Sequence, residues 1–139
     1  MSDKIHKVST PVFEIWVDEH GILRVDTKPG ARIDMPQVKE AFEIYRKLGF
    51  GPGKKKALEI MTGIGISTMS REGRDYAATL SKDYFVAAAI VSDSAMIRFL
   101  VNFFNNFYVP EVPFKMFADK YSAIAWLKSF RREETALLS

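Results

Sequence analysis

Glu59 is the side chain with the clearest capacity for chemistry, because it places one carboxyl inside the apolar run Ala57-Leu-Glu-Ile-Met61. The ordinary arrangement is a side chain that points to solvent or pairs with a lysine across the sheet. Burial would instead raise the pKa of the carboxyl and make Glu59 a candidate general acid or base. Both interpretations are open at the level of the sequence.

The sequence lacks the side chains that nucleophilic catalysis and metal binding require. A hydrolase triad needs a serine or cysteine, a base and an orienting acid. Cysteine is absent, no Gly-x-Ser-x-Gly motif occurs, and the two histidines, His6 and His20, lie in a terminal segment and in a predicted turn. We therefore expect a protein that is not an enzyme and that holds neither a metal ion nor a cofactor.

A segment rich in glycine and lysine, Gly49-Phe-Gly-Pro-Gly-Lys-Lys-Lys56, invites comparison with a phosphate-binding loop. A Walker motif has a glycine five residues before its Gly-Lys pair and a hydroxyl residue after it. Leu48 and Lys55 occupy those two positions instead. The segment predicts a flexible connection whose lysines are solvated or make a weak contact with an anion or an acidic partner.

The composition is that of one folded domain. The chain has 139 residues, of which 47% are hydrophobic and 27% charged. We predict a single domain over residues 11–131, an N-terminal arm over 1–10 and a C-terminal tail over 132–139. The net charge of +3 is too small to indicate nucleic-acid binding. No apolar stretch approaches the roughly 20 residues of a transmembrane helix and no signal peptide is recognisable, so we expect a cytoplasmic location.

The apolar periodicity alternates between that of strands and that of helices. Alternating residues on both sides of Glu19-His-Gly21 predict an N-terminal β-hairpin. Later strands are predicted over 57–61, 85–91 and 114–118, and helices over 35–48, 70–80, 94–107 and 120–130. Because helices separate the later strands, these pair in parallel through right-handed crossovers. We therefore expect an α/β fold with a mixed five-stranded sheet and four helices.

This order of elements resembles the STAS fold of SpoIIAA-type anti-sigma-factor antagonists, and in particular small, uncharacterised bacterial STAS-like proteins. The resemblance extends over about residues 12–130. Four segments carry it: Glu59-Ile-Met-Thr-Gly63, Ser70-Arg-Glu-Gly-Arg-Asp-Tyr76, Ala87-Ala-Ala-Ile-Val91 and Asn102-Phe-Phe104. It implies a non-enzymatic domain that works through protein–protein contact in a regulatory circuit.

The resemblance also implies a phosphorylation site. In the antagonist family, a serine or threonine at the start of the helix after the third strand is phosphorylated, which switches partner binding. Ser70 is the best positional match here, followed by Ser67 and Thr68. The family's Asp-Ser-Ser-Gly-Leu core is replaced by Thr68-Met-Ser-Arg-Glu72. The ordinary role of a serine at this position is structural, as a helix N-cap.

The third predicted helix has an unusually wide apolar surface. At 100° per residue, Arg98, Asn102, Asn105 and Asn106 fall within about 100° of arc, whereas apolar residues cover about 200°. A helix on one face of a sheet buries a stripe of little more than 100°. The surplus surface is formed mainly by Phe99, Leu100, Phe103, Phe104, Phe107 and Tyr108.

Three arrangements would shield this apolar surplus. Neighbouring segments of the same chain can cover it, the same helix of a second subunit can pack against it, or it can line a pocket for an apolar ligand. Two functions follow. The first is a STAS-like interaction domain that forms a homodimer through the third helix. The alternative is a small domain that binds or carries a lipid-like molecule.

Overall fold

The computed structural model describes residues 6–63, 68–105 and 111–138, with the side chains of 100, 103–105 and 132–138 left outside the description. Ten elements follow one another along the chain: β1 (Val8–Ser9), β2 (Phe13–Val17), β3 (Leu23–Thr27), α1 (Met35–Lys47), β4 (Ala57–Thr62), α2 (Arg71–Tyr84), β5 (Phe85–Val91), α3 (Ala95–Asn105), β6 (Phe114–Phe117) and α4 (Lys120–Leu138). The predicted α/β class and the four helices are confirmed.

The six strands form one mixed sheet in the order of the chain, β1 to β6. The first three strands are antiparallel, and β3, β4, β5 and β6 are parallel. The helices of the three parallel connections, α1, α2 and α3, lie on one face of the sheet, as right-handed crossovers between adjacent strands require. The last helix, α4, packs on the opposite face across β4, β5 and β6.

The prediction of five strands is wrong by one, because β1 lies within the segment predicted as an arm. Val8 and Ser9 pair with Ile15 and Glu14 of β2. The Lys28 ammonium holds this edge by donating hydrogen bonds to the Ser9 hydroxyl at 2.8 Å and to the Thr10 carbonyl at 2.6 Å. A strand of two residues is too short to show an alternating pattern, so only its pairing reveals it.

Local sequence signals account for the points at which α1 and α2 begin. Asp34 begins α1 with a capping box, in which the Gln37 side chain accepts a hydrogen bond from the Asp34 N–H at 3.0 Å. Ser70 begins α2, because its hydroxyl oxygen accepts a hydrogen bond from the Gly73 N–H at 3.1 Å. These caps set where each helix starts over the sheet.

Two cores lie on the two faces of the sheet. Alternate residues of β4 point to opposite sides, so Leu58 and Ile60 pack with Ala123 and Leu127 of α4. Ala57 points to the other face, where the core includes residues of α1 and the ends of α2 and β5. Since β4 is covered on both sides, its sequence is a nearly continuous apolar run.

Candidate functional site

A cavity of about 590 Å³ lies between the sheet and the helices on its first face. Strands β2 to β6 form its floor, and α1, α2, α3 and residues 111–112 form its walls. Ligand-binding cavities in proteins commonly have volumes of about 300–1,000 Å³ and predominantly apolar walls. This cavity lies within that range of volume, and its walls are mainly apolar.

Small side chains leave this space open. Ala41 of α1, Ala77 and Ala78 of α2, and Ala88 of β5 all face the cavity. A protein interior is normally filled to the density of an organic crystal. An alanine at each of these positions places only a methyl group where a larger side chain would occupy the volume.

Glu59 lies on the floor of the cavity with 3% of its surface exposed. Strand β4 places it there, between Leu23 of β3 and Ala88 of β5. Burial raises the pKa of Glu59 from 4.5 to about 8, although a hydrogen bond with the Tyr45 side chain opposes part of this rise. The carboxyl is therefore largely protonated at neutral pH, and the expectation of a solvent-facing or lysine-paired Glu59 is wrong.

Tyr45 of α1 is the polar partner of Glu59. Its ring is fixed by edge-on contacts with Phe42 and Phe85, at centroid distances of 5.1 Å and 5.7 Å. Burial and the proximity of Glu59 raise the pKa of Tyr45 well above 10. The site therefore holds a phenol and a carboxyl that are both predominantly neutral at pH 7.

Charged side chains occur at the mouth of the cavity. Arg74 and Lys82 of α2 and Glu111, which precedes β6, contribute to the lining, and all three are exposed. The Ser81 hydroxyl on the same wall donates a hydrogen bond to the Ala77 carbonyl at 2.6 Å. Ionic groups therefore meet solvent at the entrance, and the neutral Glu59–Tyr45 pair lies in the interior.

The apolar surface of α3 is divided between the cavity and solvent. Ile97 and Val101 line the cavity, whereas Met96 and Phe99 are 74% and 67% exposed. The polar strip of the same helix includes Asn102, whose amide donates to the Met116 carbonyl at 3.2 Å and accepts from the Met116 N–H at 3.0 Å. This side chain thus pairs with the free edge of β6, as a further strand would.

Five of the six residues predicted to form the apolar surplus of α3 fall wholly or by their side chains outside the described residues. Leu100, Phe103 and Phe104 belong to α3, but their side chains lie outside the described residues. Phe107 and Tyr108 lie outside them altogether. The predicted interface or ligand surface is therefore described at Phe99 alone among these six residues.

The predicted phosphorylation site lies at the start of α2. Ser70 caps this helix, and Thr68 accepts a hydrogen bond at its carbonyl from the Ile33 N–H at 2.9 Å. Ser67 lies outside the described residues. The N-cap role of Ser70 is confirmed, and its phosphorylation stays a prediction.

Tyr45 is the site residue that the sequence pattern did not single out. It matches the apolar stripe of α1, so periodicity assigns it to the core and carries no sign of a polar role. Its helix lies on the cavity face of the sheet, where the phenol and Glu59 both line the cavity. A tyrosine in an otherwise apolar helical stripe is the one available signal, since a buried phenol usually finds a hydrogen-bond partner.

Within 6–63, 68–105 and 111–138, no three histidine or acidic side chains come together to hold a metal ion. None of the described helices combines the length and the apolar character needed to span a bilayer.

Comparison with known proteins places the chain in a family and a fold. A solved structure from Shewanella loihica PV-4, an uncharacterised protein of the DUF3478 family with a SpoIIAA-like fold, superposes with a TM-score of 0.60 at 14% sequence identity. The alignment covers 91% of this chain and 98% of that one, which confirms the predicted resemblance at the level of the fold. No curated protein matches the sequence. A family model, the domain of unknown function DUF7793, matches residues 15–131, and the chain therefore belongs to the DUF7793 family.

Proposed function

We propose that this protein binds a small apolar molecule in the cavity between the sheet and helices α1, α2 and α3. The observation that carries the proposal is the cavity itself, with its volume of about 590 Å³ and its apolar lining. Binding without a chemical step accounts for the site, since the buried lining within the described part of the chain offers one acid and one phenol. The domain would act as a carrier or a sensor.

The size of the cavity favours a bound ligand over a packing defect. Protein interiors contain few voids larger than one water molecule, whereas this cavity would hold roughly 20 waters at about 30 Å³ each. Water against apolar walls is readily displaced by an apolar molecule, because about 25 cal/mol is gained for each Å² of apolar surface removed from water. A ligand would therefore stabilise the folded protein.

Binding of the fluorescent probe N-phenyl-1-naphthylamine tests this proposal. Ala88→Leu extends a side chain from β5 into the cavity and should weaken probe binding at least tenfold. The matched control is Ala125→Leu, because Ala125 is exposed on α4 at the opposite face of the sheet. Saturable binding that only Ala88→Leu weakens supports the proposal, and absence of binding to the unmodified protein refutes it.

A second function, homodimerisation, is favoured by the outer strip of α3. Met96 and Phe99 expose most of their surfaces, and large exposed apolar side chains on one helix are typical of a contact with another subunit. We propose that α3 packs against α3 of a second copy around a two-fold axis. This contact and the cavity use different sides of the helix, so the two functions are compatible.

The oligomeric state tests the second function. Multi-angle light scattering should give the mass of a dimer for the unmodified protein and of a monomer for Met96→Lys, which places a charge in the contact. Met96→Leu is the control and should stay dimeric. A monomeric mass for the unmodified protein over the accessible concentration range would contradict the proposal.

A further inference from the structure

We infer that Glu59 and Tyr45 form a recognition site for an uncharged carbonyl oxygen, so that the ligand is an apolar ketone, aldehyde, ester or amide whose carbonyl group enters the cavity first. This inference rests on the proposed binding function and adds the chemical class of the ligand. Its basis is the placement of one neutral hydrogen-bonding pair in a cavity whose other buried lining residues, among those that the structure describes, are apolar.

The location of the polar groups defines the orientation of a bound ligand in the cavity. Among the described lining residues, the charged side chains Arg74, Lys82 and Glu111 are exposed at the mouth. Glu59 is 3% exposed and Tyr45 is 4% exposed. A polar atom of a ligand in the interior therefore meets this pair and no cation.

Hydrogen-bond accounting defines what the pair can offer. A neutral carboxyl and a phenol carry two O–H donors, and the hydrogen bond between Tyr45 and Glu59 uses one of them. One O–H group is then left to donate to a further acceptor. An acceptor without its own proton, such as a carbonyl oxygen, completes the set.

A carboxylate is a poor match for the same position. Transfer of an ionised group to an apolar interior is strongly unfavourable unless a counter-charge accompanies it. The cationic residues of the described lining, Arg74 and Lys82, are exposed at the entrance, whereas Glu59 is buried. An ionised fatty acid would thus keep its head group at the mouth and leave the pair unused.

The test compares two ligands that differ in one group. 2-Nonanone and 2-methyl-1-nonene have the same shape, but the ketone oxygen is replaced by a methylene group in the alkene. Their affinities are measured by displacement of N-phenyl-1-naphthylamine. The quantity of interest is the ratio of ketone affinity to alkene affinity in each protein variant, because the ratio cancels general effects on the cavity.

Glu59→Leu combined with Tyr45→Phe removes both O–H groups and should reduce this ratio by about three- to tenfold, the effect of one hydrogen bond. Glu59→Gln keeps an N–H donor and should retain the ratio within about twofold. Met61→Leu, which alters an apolar lining residue two positions along β4, should also retain it. Thermal melting confirms that each variant is folded.

The outcomes separate the two proposals. If neither the probe nor the alkene binds the unmodified protein, the proposed binding function is wrong. If both bind but the Glu59→Leu/Tyr45→Phe double variant leaves the ratio unchanged, the binding function stands and the carbonyl inference is overturned. An equal loss in the double variant and in Glu59→Gln would also overturn it, because an amide donor would then fail to replace the acid.

Discussion

At position 59, a carboxyl lies where a central strand would normally carry an apolar side chain. The fold tolerates it because the Tyr45 side chain forms a hydrogen bond with it and because the group holds its proton at neutral pH. The neutral form avoids most of the penalty for burying a charge. Burial of the neutral carboxyl still costs some stability, and such a cost is typical of a residue retained for function.

The pH dependence of stability should reveal the buried acid. The pKa of Glu59 is about 8 in the folded protein and 4.5 when the side chain is solvated, so the folded state binds more protons between these values. The free energy of unfolding should therefore fall as the pH rises from 4.5, by about 3 kcal/mol at pH 7, and level off above pH 8.

Glu59→Gln should remove this contribution, since an amide does not titrate. Urea denaturation of both proteins at several values between pH 4.5 and pH 9 gives the difference in their free energies of unfolding, in which the effects of other groups cancel. The free energy of unfolding of the variant, relative to that of the unmodified protein, should increase as the pH rises. Parallel curves for the two proteins would show that Glu59 is not buried in a protonated form.

Helix α3 combines three environments on one short element. Ile97 and Val101 face the cavity, Met96 and Phe99 face solvent, and Asn102 binds the edge of β6. The wide apolar arc is therefore divided rather than covered by a single neighbour. Because Asn102 satisfies the N–H and the carbonyl of Met116, it also closes an edge that would otherwise be open to pairing with another chain.

Asn102→Leu should loosen the attachment of α3 to the sheet. The substitution conserves side-chain size but removes two hydrogen bonds to the Met116 backbone, so the free energy of unfolding should fall by about 1–3 kcal/mol. Hydrogen exchange at the Met116 amide should become faster. Met96→Leu is the control on the exposed side of the helix, and equal exchange in both variants would contradict the assigned role.

The whole molecule is asymmetric about its sheet. On the α4 face, Ala87 and Ala89 are fully buried and pack with Ala123 and Leu127. On the other face, α1, α2 and α3 leave a cavity above β4 and β5. One layer therefore holds the domain together, and the other layer provides space for a ligand.

Substitution of two neighbouring alanines of β5 should reveal this difference in packing between the two faces. Ala88→Leu adds a side chain to open volume and should leave the free energy of unfolding unchanged or raise it. Ala89→Leu adds the same atoms to a filled core and should lower it by about 1–3 kcal/mol. Chemical denaturation measures both values, and an equal loss in the two variants would show that the cavity face is as tightly packed as the α4 face.

Much of the architecture could be predicted because the signals are local. Asp34 and Ser70 mark helix starts, and both form the expected caps. The run Phe85–Val91 predicts a strand covered on both faces, and β5 has these bounds. The strand β1 could not be predicted in this way, because its two residues depend on pairing with β2.

The candidate site was only partly predictable. Glu59 stands out in any inspection of the sequence, because one acid interrupts an apolar strand. The face of the sheet toward which the Glu59 side chain points is not predictable, however. A strand that is apolar on both faces lacks the alternation that would distinguish the two sides. The pairing of β4 with β3 and β5 decides that Glu59 faces the helices.

From the amino-acid sequence alone come the order of the elements from β2 to α4, the approximate ends of most of them, the SpoIIAA-like resemblance and the anomaly at Glu59. Each of these depends on residues that are close in the chain. Tertiary structure alone decided that Tyr45 meets Glu59 and that an open volume surrounds them. A cavity results from the distances at which helices pack on a sheet. Those distances depend on side chains from many separate segments, so no local sequence pattern predicts the cavity.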